Sequence, residues 1–538
     1  MKLLSTLALT IFTSAFSFGQ TLQDAIHKTD NERYTDAFNE FNSLVAKEPA
    51  NGENYFYFGD YYLLKGELDS AKLMWNKGYA VDQLSPMSVV GNGRVLWLKG
   101  DQAAAKAEFL KAQTLTKKNK IKNAEVNRGI AKIYIEAPTK NLDEAILLLD
   151  DAILKDPRNE DNFLLLGDAL FEKTPDNGSA AIKNYNKVLE INPKSPRGIV
   201  RVAKLYQRAR NYELANDKYK EAKGVDSTYA PAFRENAELN MQFKQANRAI
   251  ENWKRYLELN NTTEARYRYA TSMFIGKQYC EAITELNNLK QRGFSNFYTE
   301  RMLAYSYLEC TTEIDAFKKG IEASDRFFTI APKEKVTYLD YKNRGALLSK
   351  SGSDSLAIVE YENSSRLNET AAKELAGELA KLYSKAKKYD KAIDAYNLKA
   401  TANKLSPAEE YDLGKCYYFG PKNYPLADSA FARVAKLSPT YAPAYWWRAR
   451  TNLKMESADP KAYLWLSKPH YDKVIEIVKP EDRATNTNKT MVMESAKYLG
   501  DYYVRSEAKD LVKAKTYWEI VIAIDPADAQ AKAFLGLK

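Results

Sequence analysis

Apolar residues along this chain recur at helical rather than strand spacing. From Tyr55 to Asp82 they predict two short amphipathic helices, with a turn at Leu64–Leu68 between them. Two small residues, Gly59 and Ala71, and one large aromatic, Trp75, mark fixed points in that stretch, and the same marks recur downstream. The series is Ala37, Ala71, Ala105, Ala145, Ala181, Ala215, Ala249, Ala282, Ala316, Ala357, Ala392, Ala427, Ala462 and Ala514, with most gaps between 33 and 36 residues. Four residues after each mark, ten of the fourteen positions are aromatic, including Phe41, Phe109, Tyr185, Trp253 and Trp518. Twelve residues before it, ten of the fourteen are Gly or Ala, among them Gly93, Ala203, Ala237 and Gly345.

A small residue lets the two helices of a unit cross closely, and the aromatic fills the wedge towards the next unit. Pro follows the second helix twelve residues after the mark in five units, at Pro49, Pro157, Pro193, Pro439 and Pro526. Its ring cannot continue the helical bonding pattern, so the helix stops there. One hairpin is too small to bury its own apolar face, so a core forms only by stacking.

A two-helix unit of about 34 residues with these landmarks resembles the tetratricopeptide repeat, TPR. Gly59, Tyr62, Ala71 and Trp75 carry the resemblance in one unit, and Gly414, Tyr417, Ala427, Phe431 and Pro439 in another. It implies an all-α fold over residues 20–538: a right-handed superhelical solenoid of about fourteen helix-turn-helix repeats. It also implies protein or peptide partners held in a concave groove lined by first helices. Some proteins of that family grip a C-terminal carboxylate with Lys and Asn on neighbouring first helices. Lys342 and Asn343 fit superficially, but the next unit offers Glu374 and Gly377 where basic partners are needed, so that function is not carried over.

Long gaps locate departures from the period. The 40-residue gap after Ala105 contains Thr116–Asn123, a lysine-rich corner, and the 52-residue gap after Ala462 predicts an irregular unit with a long loop at about 467–489. Residues 527–538 read as a helix capping the open end.

Residues 1–19 form a separate device. Lys2, an apolar run from Leu3 to Phe16 and a small residue at Gly19 match a secretory signal peptide. The expectation is export to the periplasm of a Gram-negative bacterium, with no stable membrane insertion of the mature chain. The partners expected there are envelope proteins, in a secretion, outer-membrane assembly or energised transport complex.

Charge and chemistry narrow the function by what they omit. Eighty Lys and Arg against seventy Asp and Glu give a net charge of +10, spread along the chain rather than clustered as a nucleic-acid binder requires. Two histidines, no HExxH, no CxxC, no P-loop and no GxSxG leave neither enzyme, metal nor cofactor supported. Gly91-Asn92-Gly93 lacks a third glycine and already has a packing use. The three cysteines, Cys280, Cys310 and Cys416, are too sparse for a disulfide framework and read as buried free thiols; Cys280 with Cys310 is the pair that a repeat stack allows.

Two candidate partner-binding surfaces remain. Arg197, Arg201, Lys204 and Arg208 lie at spacings of four, three and four, one helical stripe, which Arg234 on the next unit extends. Such a stripe suits an acidic peptide, a carboxylate terminus or an anionic glycan; an ordinary solvated face has the same spacing. Tyr411, Tyr418, Phe419, Trp446 and Arg450 form an aromatic surface of the kind that anchors interfaces, although packing between units uses the same residue types. A glycan or peptidoglycan-associated binding module is the alternative to a protein scaffold.

Overall fold

The computed structural model describes residues 21–459 and 462–537. The expected signal peptide, 1–19, lies outside the described residues. Among them the secondary structure is helical, α1 (Leu22–Asp30) through α29 (Ala529–Leu535), with short 3-10 turns and no strand. Successive helices pair as hairpins, from α1 with α2 (Tyr34–Lys47) to α15 (Thr263–Ile275) with α16 (Tyr279–Gln291), then from α17 (Phe297–Glu309) with α18 (Ala316–Ile330) to α27 (Lys489–Arg505) with α28 (Leu511–Ile524), and α29 follows the last pair. These are TPR-like repeats. The chain divides into two compact units, Met1–Phe294 and Ser295–Lys538. The first contains α1–α16 and the second α17–α29.

Sequence explains the hairpins locally. Asn, Ser or Thr caps many first helices, as Asn51 does for α3 (Gly52–Leu64) and Ser85, followed by Pro86 at the first position, for α5 (Pro86–Leu98). Within hairpins the turn often contains a residue in the left-handed region: glycine at Gly66, Gly100 and Gly352, and Lys or Arg at Arg210, Lys244, Lys277, Lys387 and Lys422.

The small-and-aromatic register is a physical lock. A Cβ on Gly59 would stand 2.2 Å from Trp75 Nε1, one on Gly93 2.4 Å from Phe109, and one on Gly345 2.6 Å from Tyr361. In each case the ring belongs to the second helix of the same hairpin. Trp75 is fully buried and donates its indole N–H to Phe56 O at 3.0 Å. Gly59→Leu is therefore expected to destabilise the first unit by more than about 2 kcal/mol through overpacking. An unchanged thermal midpoint would reject this account of the register.

Two expectations need correction. The stretch expected as a long loop, 467–489, holds α26 (Lys468–Ile477), and only its second half is turn-like. Ala462, taken as the register mark, is exposed. The packing position is Ser467, fully buried, whose hydroxyl donates to Ala449 O at 2.6 Å, and the aromatic four residues later is Tyr471, also fully buried. Serine fills the small-residue role, so an alanine register falls five residues early, on Ala462. The second correction concerns sulfur. Cys416 is a buried free thiol, but Cys280 and Cys310 are disulfide-bonded.

Candidate functional site

In the first unit the array bends until its first hairpin meets its sixth and seventh. The meeting point is the corner between α1 and α2 (Tyr34–Lys47), residues Asp30, Asn31 and Glu32. Glu32 has φ +54, which turns the chain sharply at a residue with a Cβ. Its carboxylate accepts from Arg234 Nε at 3.2 Å and Nη2 at 2.9 Å, and from the Tyr256 hydroxyl at 2.8 Å. Arg234 lies on α13 (Ala230–Gln242) and Tyr256 on α14 (Ala246–Leu259). Asp30 pairs with Arg197 at 3.2 Å, and Asn31 donates to Asp226 at 3.5 Å. Four partners from three later helices and a loop thus hold one tight corner.

Inside the bend lie two cavities, about 440 and 280 Å3, that share Thr29, Asp30, Leu64, Arg197 and Arg201 as lining. Their walls are first helices, and their chemistry is charged and internally matched. Arg94 on α5 is fully buried. It donates to the Asp60 carboxylate and to Gly129 O, with the Nε bond at 3.0 Å, and stacks on Phe56 and Trp75 at 4.5 and 5.2 Å from the ring centres. The second Asp60 oxygen takes Lys132 at 3.2 Å, from α7 (Lys120–Glu136). Burial pulls the Lys132 amine down, but Asp60 and Glu136 outweigh it and hold the amine above its ordinary range. Glu136, one turn further along α7, is pushed up by burial. Burial also opposes the charge on Asp161, yet Arg197 and Arg128 keep its carboxyl below the usual range.

The structure gathers most of the predicted basic stripe at the larger cavity, where Arg197, Arg201, Lys204 and Arg234 all line the wall. It also answers their charge. Arg197 meets Asp161 at 2.7 Å as well as Asp30, and Arg201 lies fork-to-carboxylate on Asp168 at 2.8–3.0 Å. Lys204 and Arg234 meet Glu235 at 3.2 and 3.1 Å. Arg208, in the last turn of α11 (Pro196–Arg208), is exposed and has no ion pair among the described residues. Apart from Glu235 beside Arg234, the acids come from other repeats, so nothing in the stripe's own spacing announces them. Lys342, set aside as a carboxylate grip, likewise pairs with Glu374 at 2.7 Å.

In the second unit, the aromatic residues divide. Tyr411, on α23 (Pro407–Phe419), accepts the Trp447 indole N–H at 2.8 Å and lies edge-on to Phe431, so it belongs to packing between hairpins. Tyr418 packs on Trp447 at 5.2 Å. Trp446 and Trp447 flank Arg450 on α25 (Ala442–Leu453), with the guanidinium 4.7 and 5.1 Å from the two ring centres and 3.5 Å from Glu494. The Trp446 indole nitrogen is buried without a hydrogen-bond partner. Phe419, 48% exposed, and Tyr441, 42% exposed, are the members that face solvent. Tyr441 was not among the predicted residues. Together with Tyr411 it lines a cavity of about 300 Å3 whose floor includes Pro407, Ala408 and Val434.

No family model matches the chain. It is 21% identical to tetratricopeptide repeat protein 37 of Xenopus laevis over 201 residues, 37% of this chain and 12% of that protein's length. Among solved structures it is similar to the C-terminal part of a TPR repeat-containing protein from Cytophaga hutchinsonii, with 28% identity and TM-score 0.38 over 50% of this chain and 99% of that one. It is also similar to a tetratricopeptide repeat protein from Parabacteroides merdae, with 18% identity and TM-score 0.30, covering 48% of this chain and 98% of that one. Human IFIT1, solved as a dimer with m7Gppp-AAAA, covers 78% of this chain and 100% of its own at 14% identity and TM-score 0.32.

Proposed function

We propose that this chain is a non-enzymatic scaffold, exported to the periplasm, that holds a protein or peptide partner within a cell-envelope complex. The observation that carries the proposal is the contrast between the two candidate surfaces. In the first unit the cavity cations are already matched by acids, so a partner gains little by replacing those pairs. In the second unit Tyr441 presents aromatic surface at a cavity lined by Pro407, Ala408 and Val434 together with Asp412, Lys415 and Ser438, and Phe419, at the other end of α23, is exposed in its own right. Buried aromatic anchors of that kind supply much of the energy of protein interfaces. Export is supported by the signal-like sequence of residues 1–19 and by the disulfide state of Cys280 and Cys310, since disulfides persist in oxidising compartments. No described helix is long and apolar enough to cross a membrane.

Crosslinking and mass spectrometry on whole envelopes test this. One dominant protein partner is expected, and Phe419→Ala with Tyr441→Ala should cut its recovery by about tenfold or more. Unchanged recovery in that double variant would reject this surface as the anchor. Recovery of peptidoglycan in place of protein would favour the glycan-binding alternative.

A further inference from the structure

We infer that one edge of the first unit is a docking surface for an anionic lipid surface, independent of the protein-binding role above. The edge is built by the corners that join successive hairpins. They lie between α4 (Leu68–Val81) and α5, between α6 (Gln102–Thr116) and α7, and between α8 (Leu142–Lys155) and α9 (Glu160–Lys173). Neighbouring corners are tied together. Lys111 on α6 donates to the Tyr79 hydroxyl on α4 at 3.2 Å, and Lys155 on α8 donates to Asn123 on α7 at 2.7 Å.

Large aliphatic side chains project from all three corners. Leu84 is 77% exposed, Ile121 56% and Leu154 83%. None of them contributes to the core there, so packing does not account for them. The middle corner adds Lys117, Lys118, Lys120 and Lys122, all exposed and none within ion-pair distance of a carboxylate among the described residues. Glu53 senses Lys122 but lies beyond that distance. Other acids of this edge are engaged: Asp151 with Lys155, Asp156 with Arg128, and Asp82 with the N–H groups of Leu84 and Ser85. No described carboxylate therefore forms an ion pair with the four lysines of the corner.

Helix physics makes the arrangement unfavourable in isolation. Lys120 and Lys122 stand in the first turn of α7, which contains no acid, at the end where the helix dipole disfavours cations. Four like charges in six residues repel one another as well. An anionic surface relieves both terms. Protruding aliphatic side chains among lysines fit the boundary between headgroups and acyl chains, where apolar burial and charge attraction act together. A soluble polyanion would satisfy the lysines but give the exposed Leu84, Ile121 and Leu154 nothing to enter.

The test is sedimentation of the full-length protein with vesicles of phosphatidylcholine alone or mixed with phosphatidylglycerol. Binding is expected to the mixed vesicles and not to phosphatidylcholine, and to weaken as salt rises. K117E/K118E should lower binding by about tenfold or more, and L84S/I121S/L154S should weaken the binding that survives at higher salt. K120E/K122E separates function from folding, because acids at the start of α7 should leave the thermal midpoint unchanged or higher while vesicle binding falls. No binding to the mixed vesicles, or binding indifferent to the lysine variants, overturns the inference. So does capture by heparin without capture by vesicles, which would identify a soluble polyanion as the partner.

Discussion

Replacing Asp60 by alanine is expected to remove about 3–5 kcal/mol from the stability of the first unit, the cost of stripping the partner from a buried charge. Asp60 is 7% exposed and Arg94 is fully buried, so the guanidinium loses its carboxylate in a buried setting. Gly129 O would still accept from Arg94, and the Phe56 and Trp75 rings would still hold its face, but neither carries a negative charge. Lys132 loses its ion pair in the same step and is left with Glu136 as its neighbouring acid. Asp60→Asn should lose less, because it retains an acceptor. The double variant Asp60→Leu/Arg94→Met should recover most of the loss, since an apolar pair of similar volume leaves no buried charge at that spot. Hydrogen exchange of the α3, α5 and α7 amides in the full-length protein gives the readout, because a global denaturation curve mixes the two units. A loss under about 1 kcal/mol in Asp60→Ala would show that water or a moving side chain compensates Arg94.

That triad escaped the sequence reading, although Asp60 and Arg94 stand one repeat apart, at 34 residues, whereas the fold around it was recovered. Gly59 with Trp75 and Gly93 with Phe109 are contacts within one hairpin, so their spacing in the chain is fixed and repeats with it. The same holds for the aromatic positions generally, and the helical-repeat fold follows from them. The register failed where chemistry was conserved but residue type was not, at Ser467, which does the work of an alanine. The charged interior follows a different logic. Arg201 pairs with Asp168, one repeat earlier, and a search for carboxylates about 33 residues away would have found it. Arg234 pairs with Glu32, 202 residues earlier, at a separation set by how the whole unit bends. No local period encodes that. One clue did exist. Where the other left-handed hairpin turns of the first unit place glycine, lysine or arginine, the first places a glutamate.

Glu32 therefore acts as the bolt that closes the bend, and Glu32→Gln should loosen it by about 2 kcal/mol, the scale of hydrogen bonds to a charged group. The side chain is 16% exposed and Arg234 is 31% exposed, so solvent screens part of the interaction and the upper end of that scale is not expected. Arg234 keeps Glu235 at 3.1 Å, which limits the loss further. The effect should be local. Amides of α1 and α2 should exchange about tenfold faster or more, because among the described residues this hairpin has one sequential neighbour and depends on the corner for the rest of its anchoring. Amides of α5 to α8, which stack between neighbours on both sides, should change little. Tyr256→Phe removes the hydroxyl that donates to the same carboxylate. In a double-mutant cycle with Glu32→Gln the two losses should fall short of additive, as expected for groups that share one partner. Strict additivity, or faster exchange spread evenly over all eight hairpins, would mean that the corner is only one of many equivalent contacts. Selective release of α1 and α2 would instead open the charged interior further from that side, giving a competing anion fuller access to Arg197 and Arg234, which are only 23% and 31% exposed in the closed bend.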